Sequence, residues 1–291
     1  MIHPFSDNYA DQDSLNLVKT ALNGDKKALD QLIRMHQPFV YNVAWKMTHD
    51  PDDAMDLTQE VMIKIVTRLS QFKFKSAFRT WLYRIVVNEF LQTKRRKSEL
   101  QFTSLEAHGD RLDSLPNPEL TAEERISLVE LSKEVRTGCM SGMIMCLSRE
   151  QRLIYILGDV FSLNHNIGAE IFSISPQNFR VKLHRARKDL YSFMNDKCGL
   201  VNKENPCRCP KKAKAMKELG LLQEGEMRFN LGKAKVIRDF VDQEYLNLMD
   251  VIDRKYLSLF WNHNVKEDPD VDVLISELIE NEELNKFWEL N

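Results

Sequence analysis

The chain has 291 residues, 43% of them hydrophobic and 29% charged, with only 10 glycines and 9 prolines. That length suffices for two or three small domains, and the long stretches without helix breakers predict a mostly helical protein. No run of about eighteen apolar residues occurs, which argues against a membrane-spanning helix. The opening residues, MIHPFSDNYADQD, do not read as a secretory signal, and five cysteines, an odd number, argue against a disulfide framework and for a reducing cytoplasm.

The net charge of -2 conceals strong segregation. Five acids and no base lie between Asp50 and Glu60, whereas Lys64 to Lys97 holds ten bases against Glu89 alone. Residues 198–238 carry ten bases and four acids, and residues 239–291 carry fourteen acids and four bases. Local blocks therefore say more about partners than the whole-chain charge does.

Residues 14–48 predict two helices, with Leu15, Val18 and Leu22 on one apolar face and Ala28, Leu29, Leu32 and Ile33 on the next, broken at Asn23-Gly24-Asp25. A third helix opens at Asp50-Pro51, with Asp50 as cap and proline at the first helical position. Its apolar face is Ala54, Leu57, Val61, Ile65 and Leu69, and its other face carries Asp53, Asp56, Glu60 and Lys64. Three carboxylates at helical spacing with no nearby histidine form no catalytic or metal-binding arrangement.

A loop at Gln71–Ser76 precedes a fourth helix, predicted from Ala77 to Lys97. Here aromatics alternate with bases in QFKFKSAFRTWLYRIVVNEFLQTKRRK, a combination suited to single-stranded nucleic acid, since bases stack on aromatics while cations hold the backbone. Most of these aromatics, including Phe78 and Trp81, read as core; the loop Phe72–Ser76 and the polar Asn88 and Gln92 are the stronger candidates for contact. Residues 99–120 lose periodicity around Gly109, Pro116 and Pro118 and read as a linker. Helical patterning resumes at Thr121, and Ser148 is placed to cap another helix.

The segment FSLNHNIGAEIFSISPQNFRVKLHRARKDL has helix-turn-helix architecture: a short helix, a turn, then a helix capped by Ser175 with Phe179, Leu183, Ala186 and Leu190 as its buried stripe. Ser175, Gln177, Asn178 and Arg180 suit base edges, and the later bases suit phosphates. A helix pair with a merely solvated basic face is the plainer reading.

Taken together, DDAMDLTQEVMIKI, FRTWLYRIVVNEFLQTKRRK, LSREQRLIYIL and the helix-turn-helix resemble the extracytoplasmic-function class of bacterial RNA polymerase sigma factors, over about residues 14–195. The resemblance implies an all-α fold with two helical sigma domains joined by a linker, plus a C-terminal helical extension. Residues 14–98 would be the region 2 domain, 99–142 the linker and the start of a helical segment, 143–195 the region 4 helix-turn-helix domain, and 196–291 the extension. It implies that Asp53, Asp56, Gln59 and Glu60 contact core RNA polymerase. Phe72, Lys73, Phe74, Lys75, Ser76 and Arg79 would hold the melted promoter box, with Asn88, Gln92, Arg95 and Arg96 near its upstream edge. Ser175, Gln177, Asn178, Arg180, Lys182, His184, Arg185, Arg187 and Lys188 would read duplex promoter DNA. The implied partners are core polymerase and promoter DNA, duplex and melted, with an anti-sigma protein or other regulator as a further candidate and no membrane. The chain would not be an enzyme itself and would need no cofactor. A duplex-binding helix-turn-helix regulator is the alternative, but it leaves the acidic helix and the aromatic–basic loop unexplained; no constellation supports a nucleic-acid enzyme.

Beyond residue 195 the chain departs from minimal members of that class. Cys198, Cys207 and Cys209 have C-x8-C-x-C spacing, which could hold a thiophilic metal with His184, but the paired C-x2-C spacings of zinc sites are missing, so plain structural cysteines are the expectation. The acidic stretch 239–291 is expected to regulate DNA binding by competing for Arg185, Arg187 and Lys188, or else to bind a partner through Phe240, Tyr245, Leu248, Phe260 and Trp261.

Overall fold

A computed structural model of the chain describes residues 11–222. The acidic stretch 239–291, with its expected roles, lies outside the described residues. Within them the helices are, in order, α1 (Asp11–Leu22), α2 (Lys26–Thr48), α3 (Pro51–Arg68), α4 (Phe78–Gln92), α5 (Lys97–Leu100), α6 (Leu105–Ser114), α7 (Ala122–Ser127), α8 (Val129–Cys146), α9 (Arg149–Tyr155), α10 (His165–Phe172), α11 (Pro176–Lys197) and α12 (Cys209–Glu218). A 3-10 turn at Leu69–Gln71 and a π-helical turn at Ile156–Val160 complete them. The expected all-α class holds: the described residues contain no strand, only an isolated bridge between Cys198 and Cys207. No helix among them is long and apolar enough to cross a membrane.

One compact unit comprises the described residues up to Arg96 together with Ile156–Val181. Its helix starts follow the sequence. Gly24, at φ +92°, reverses the chain after α1, and Asp25 then accepts from the amides of Lys27 (2.8 Å) and Ala28 (3.2 Å). Asp50 caps α3 by accepting from Asp52 N (3.1 Å) and Asp53 N (3.0 Å), with Pro51 in the first turn. The core is built from Val18, Leu32, Ile33, Leu57, Val61, Ile65, Phe78, Leu82 and Phe90.

The fourth helix departs from expectation at both ends. Its N-terminus has no cap of its own; the Asp11 carboxylate of α1 accepts from Phe78 N (3.1 Å) and Arg79 N (3.4 Å) instead. It stops at Gln92 rather than Lys97, because Thr93 turns extended and its hydroxyl donates to Glu89 O at 2.5 Å. The basic run Lys94–Arg96 thus leaves the helix. In the same unit α10 packs on α4, where the Arg84 guanidinium donates to Glu170 O at 2.9 and 3.2 Å.

The second unit comprises Lys97–Tyr155 and the described residues from Lys182 onward. Residues 99–120, expected as a linker, are largely packed structure here. Glu99 of α5 is fully buried against Arg152 (2.9 Å) and Arg149 (3.1 Å). Ser104 caps α6 by accepting from Ala107 N at 3.1 Å, and His108 and Gly109 are buried. Gly142 of α8 lets that helix approach: a Cβ there would meet His108 Cε1 at 2.8 Å. Lys212 of α12, nearly fully buried, donates its ammonium to the carbonyls of Leu112 (2.6 Å) and Leu115 (2.5 Å) at the end of α6. Small and polar residues make these contacts, so no apolar period announces them.

Candidate polymerase and nucleic-acid interfaces

Burial of Ala54, Leu57, Val61 and Ile65 turns the opposite side of α3 outward. On that side lie Asp53, Asp56, Gln59 and Glu60. Arg96 reaches back onto it, with Nη2 2.6 Å from Glu60 Oε1 and Nη1 3.9 Å from Asp56 Oδ2. Arg96, expected beside melted DNA, therefore pairs with the acidic face, since leaving α4 five residues early frees the chain to fold back. The Asp56 and Glu60 side chains nevertheless remain 64% and 42% exposed, and ion pairs so hydrated contribute about 0–1 kcal/mol each.

The loop after α3 divides into floor and surface. Phe72 is a correction to the sequence expectation: at 3% exposure it is core, its ring 5.3 Å from Phe78 and 5.5 Å from Trp81. Burying an aromatic at the base of the loop stabilises it more than exposing it would, and the ring is unavailable to a nucleotide. Lys73, Phe74, Lys75 and Ser76 are exposed. Phe74 is 43% exposed, lies with its ring 4.8 Å from that of Phe72 at a tilt of 51°, and has φ +56°, a left-handed conformation rare for an aromatic residue. The Lys19 ammonium of α1 stands 5.8 Å from its ring. Arg79 is half-buried in the first turn of α4, while Asn88, Gln92 and Arg95 are exposed on α4 and just beyond it. Lys19 and Asp11 were invisible as site residues in the sequence, because only folding brings α1 to this loop.

In the helix-turn-helix, Ser175 caps α11 as expected, accepting from Asn178 N at 3.1 Å. Gln177, Asn178 and Arg180 are exposed in the first turns, with Arg180 Nη2 donating to Gln177 Oε1 at 2.9 Å. The two helices meet closely at Gly168, where a Cβ would come within 2.6 Å of the Phe179 ring. Further along α11, His184, Arg185 and Lys188 are exposed and Arg187 is half-buried. Lys182 is instead tied to α9, its ammonium 2.7 Å from Glu150 Oε2. Phe179, Ala186 and Leu190 are fully buried, and Leu183 is half-buried.

The Sigma-70 region 2 family model matches residues 32–99, which hold the acidic helix, the loop and α4. The chain is 29% identical over 177 residues to the ECF RNA polymerase sigma factor SigE of Mycolicibacterium smegmatis, covering 59% of this chain and 64% of the relative. It thus spans just under two thirds of that relative's length. It is 27% identical over 169 residues to the RNA polymerase sigma factor YlaC of Bacillus subtilis, covering 58% of this chain and 93% of the relative. Over 137 residues it is 31% identical to the RNA polymerase sigma-H factor of Pseudomonas aeruginosa, covering 42% of this chain and 71% of the relative. With the acidic helix, the loop and the helix-turn-helix all in place, the chain belongs to the extracytoplasmic-function class of RNA polymerase sigma factors.

Proposed function

We propose that this sigma factor docks core RNA polymerase on the α3 face of Asp53, Asp56, Gln59 and Glu60 and captures unpaired promoter bases at the loop Lys73–Ser76. It reads the upstream promoter box as duplex with the first turns of α11. In this reading residues 14–98 bind polymerase and melt DNA, residues 143–195 bind duplex, and the protein works in the cytoplasm beside the enzyme whose chemistry it directs. Melting then draws its energy from capture of bases outside the stack rather than from nucleotide hydrolysis.

The observation that carries this reading is Phe74. An exposed aromatic ring held in a left-handed backbone conformation, seated on a buried aromatic floor and flanked by Lys73, Lys75 and Lys19, is poorly explained by stability. Such a conformation costs about 1 kcal/mol or more and persists where function requires it. Phe74→Gly should therefore keep or raise the melting temperature while lowering open-complex formation on a duplex promoter roughly tenfold, the loss of one stacked base at about 1–3 kcal/mol. Permanganate footprinting with reconstituted holoenzyme measures the second quantity. Unchanged melting of the promoter by the folded variant would remove the loop from the mechanism.

The duplex-reading helix has its own signature. Arg180→Ala should cost about 1–3 kcal/mol at one base position and relax preference there. Lys188→Ala should weaken all sequences alike and flatten the salt dependence. Binding measured across a promoter library at several salt concentrations separates the two; identical profiles would refute the division between base and phosphate contacts.

A further inference from the structure

Three of the five cysteines lie close in sequence, and the fold supplies a fourth. Cys198 follows the last residue of α11, its amide donating to Met194 O at 2.8 Å, and the chain then turns so that Cys207 pairs alongside Cys198 in a parallel bridge. Arg208 is extended (φ -131°, ψ 124°), so Cys207 and Cys209, two residues apart, project to the same side. Cys209 opens α12, which packs on α8 through Leu131, Val135 and Ala213. The same helix α8 carries Cys139, which lies within Coulombic reach of Cys209, Cys207, Cys198 and Cys146, while Cys209 lies within reach of Cys198 and Cys207. His184, the fourth ligand suggested by sequence, is fourteen residues up α11 from Cys198, about 21 Å away.

The backbone around these thiols is already held. The Arg208 guanidinium donates to the carbonyls of Lys203 (2.6 Å), Cys207 (3.0 Å) and Asn205. Gly199 passes so close that a Cβ would meet Cys207 O at 2.2 Å. The Cys139 sulfur also lies 3.7 Å from His108 Nε2, which in the Nε2–H tautomer would donate to a metal-bound thiolate. Arg136, Arg208 and Lys212 bring positive charge to the cluster. Cys146, seven residues along α8, is also within Coulombic reach of Cys139, but its own charged neighbours are Arg111 and Arg152. Among the described residues no group of His, Cys, Asp or Glu already stands in metal-holding geometry, so convergence requires side-chain rotation on this backbone.

We propose that Cys139, Cys198, Cys207 and Cys209 bind one zinc ion as a closed four-sulfur structural site, clipping the end of the recognition helix and α12 onto α8. Four sulfurs from three chain segments suit the closed tetrahedral sites of structural zinc, whereas a single disulfide would use two and leave two half-buried thiols without a role. Binding releases four protons as the thiols become thiolates, and the net charge of two minus is offset by the three nearby cations.

The test uses the full chain, purified reduced and without added chelator. Elemental analysis should find about one zinc per chain. After removal of zinc, cobalt(II) should give the thiolate charge-transfer and intense visible bands of a tetrahedral sulfur site, which added zinc abolishes. Cys139→Ser and Cys209→Ser should lose the metal and the bands, and Cys146→Ser should keep both. The cobalt titration of the unaltered chain decides alone wherever a serine variant fails to fold. Absence of both zinc and the sulfur–cobalt bands overturns the proposal. So does a metal-free chain with a Cys198–Cys207 disulfide, or equal metal loss in Cys146→Ser and Cys139→Ser.

Discussion

Replacing Asp56 and Glu60 together by arginine is expected to abolish holoenzyme formation while leaving the fold intact. Both side chains are more than a third exposed on α3, and neither takes part in the core. The substitutions lose the ion pairs to Arg96 and set three guanidinium groups side by side. In a hydrated setting that costs on the order of 1 kcal/mol, a shift of a few degrees in melting temperature. At an interface the balance reverses, because reversed charges meet the partner's basic groups without water to screen them. Losses of about 2–5 kcal/mol correspond to a weakening of roughly thirtyfold to several thousandfold. Arg96→Ala is the informative companion: it frees both carboxylates and should leave polymerase affinity close to that of the unaltered chain. Fluorescence anisotropy with purified core enzyme measures both variants. A folded double variant that forms holoenzyme normally would show that α3 is not the docking face.

The largest stability effect is expected at Glu99. Its carboxylate is fully buried and serves two cations, Arg152 at 2.9 Å and Arg149 at 3.1 Å. Arg152 is 2% exposed and also donates to Met145 O (2.8 Å) and Leu147 O (3.3 Å), closing the end of α8. Glu99→Ala leaves those two cations buried without their shared carboxylate, and breaking such a cluster costs about 3–5 kcal/mol. That is a large fraction of the 5–15 kcal/mol that typically holds a domain together. Urea denaturation should show the second unit unfolding at markedly lower denaturant. Removing Glu99 with one of its two cations, as in Glu99→Leu with Arg152→Met, should recover only part of the loss, because Arg149 keeps its charge without the carboxylate and the carbonyls of Met145 and Leu147 lose their donor. An unchanged denaturation midpoint in Glu99→Ala would mean that water reaches the cluster.

Much of this protein was written locally. The caps at Asp50, Ser148 and Ser175, and the apolar stripes of α3 and α11, depend on residues within one or two turns of each other, so periodicity and capping chemistry place them. The acidic face, the aromatic–basic loop and the helix-turn-helix were legible for the same reason, and their order and spacing carried the family. What sequence could not decide depends on contacts between distant segments. Phe72 and Phe74 stand two residues apart in the same basic loop, yet one is floor and the other surface, because only the fold puts Phe78 and Trp81 beneath the first. Arg96 turns from the DNA side to the acidic face because α4 ends early and the chain folds back on α3. Residues 99–120 look like a linker because Glu99, Ser104, His108 and Gly109 carry no apolar period; their contribution is a buried ion pair, a cap and two close approaches, of His108 to Gly142 and of Gly109 to Phe193, which exist only between packed helices. Likewise, a fourth cysteine for the C-x8-C-x-C group cannot be chosen from spacing, since Cys139 lies on α8 nearly sixty residues upstream and joins the others only when α12 packs there.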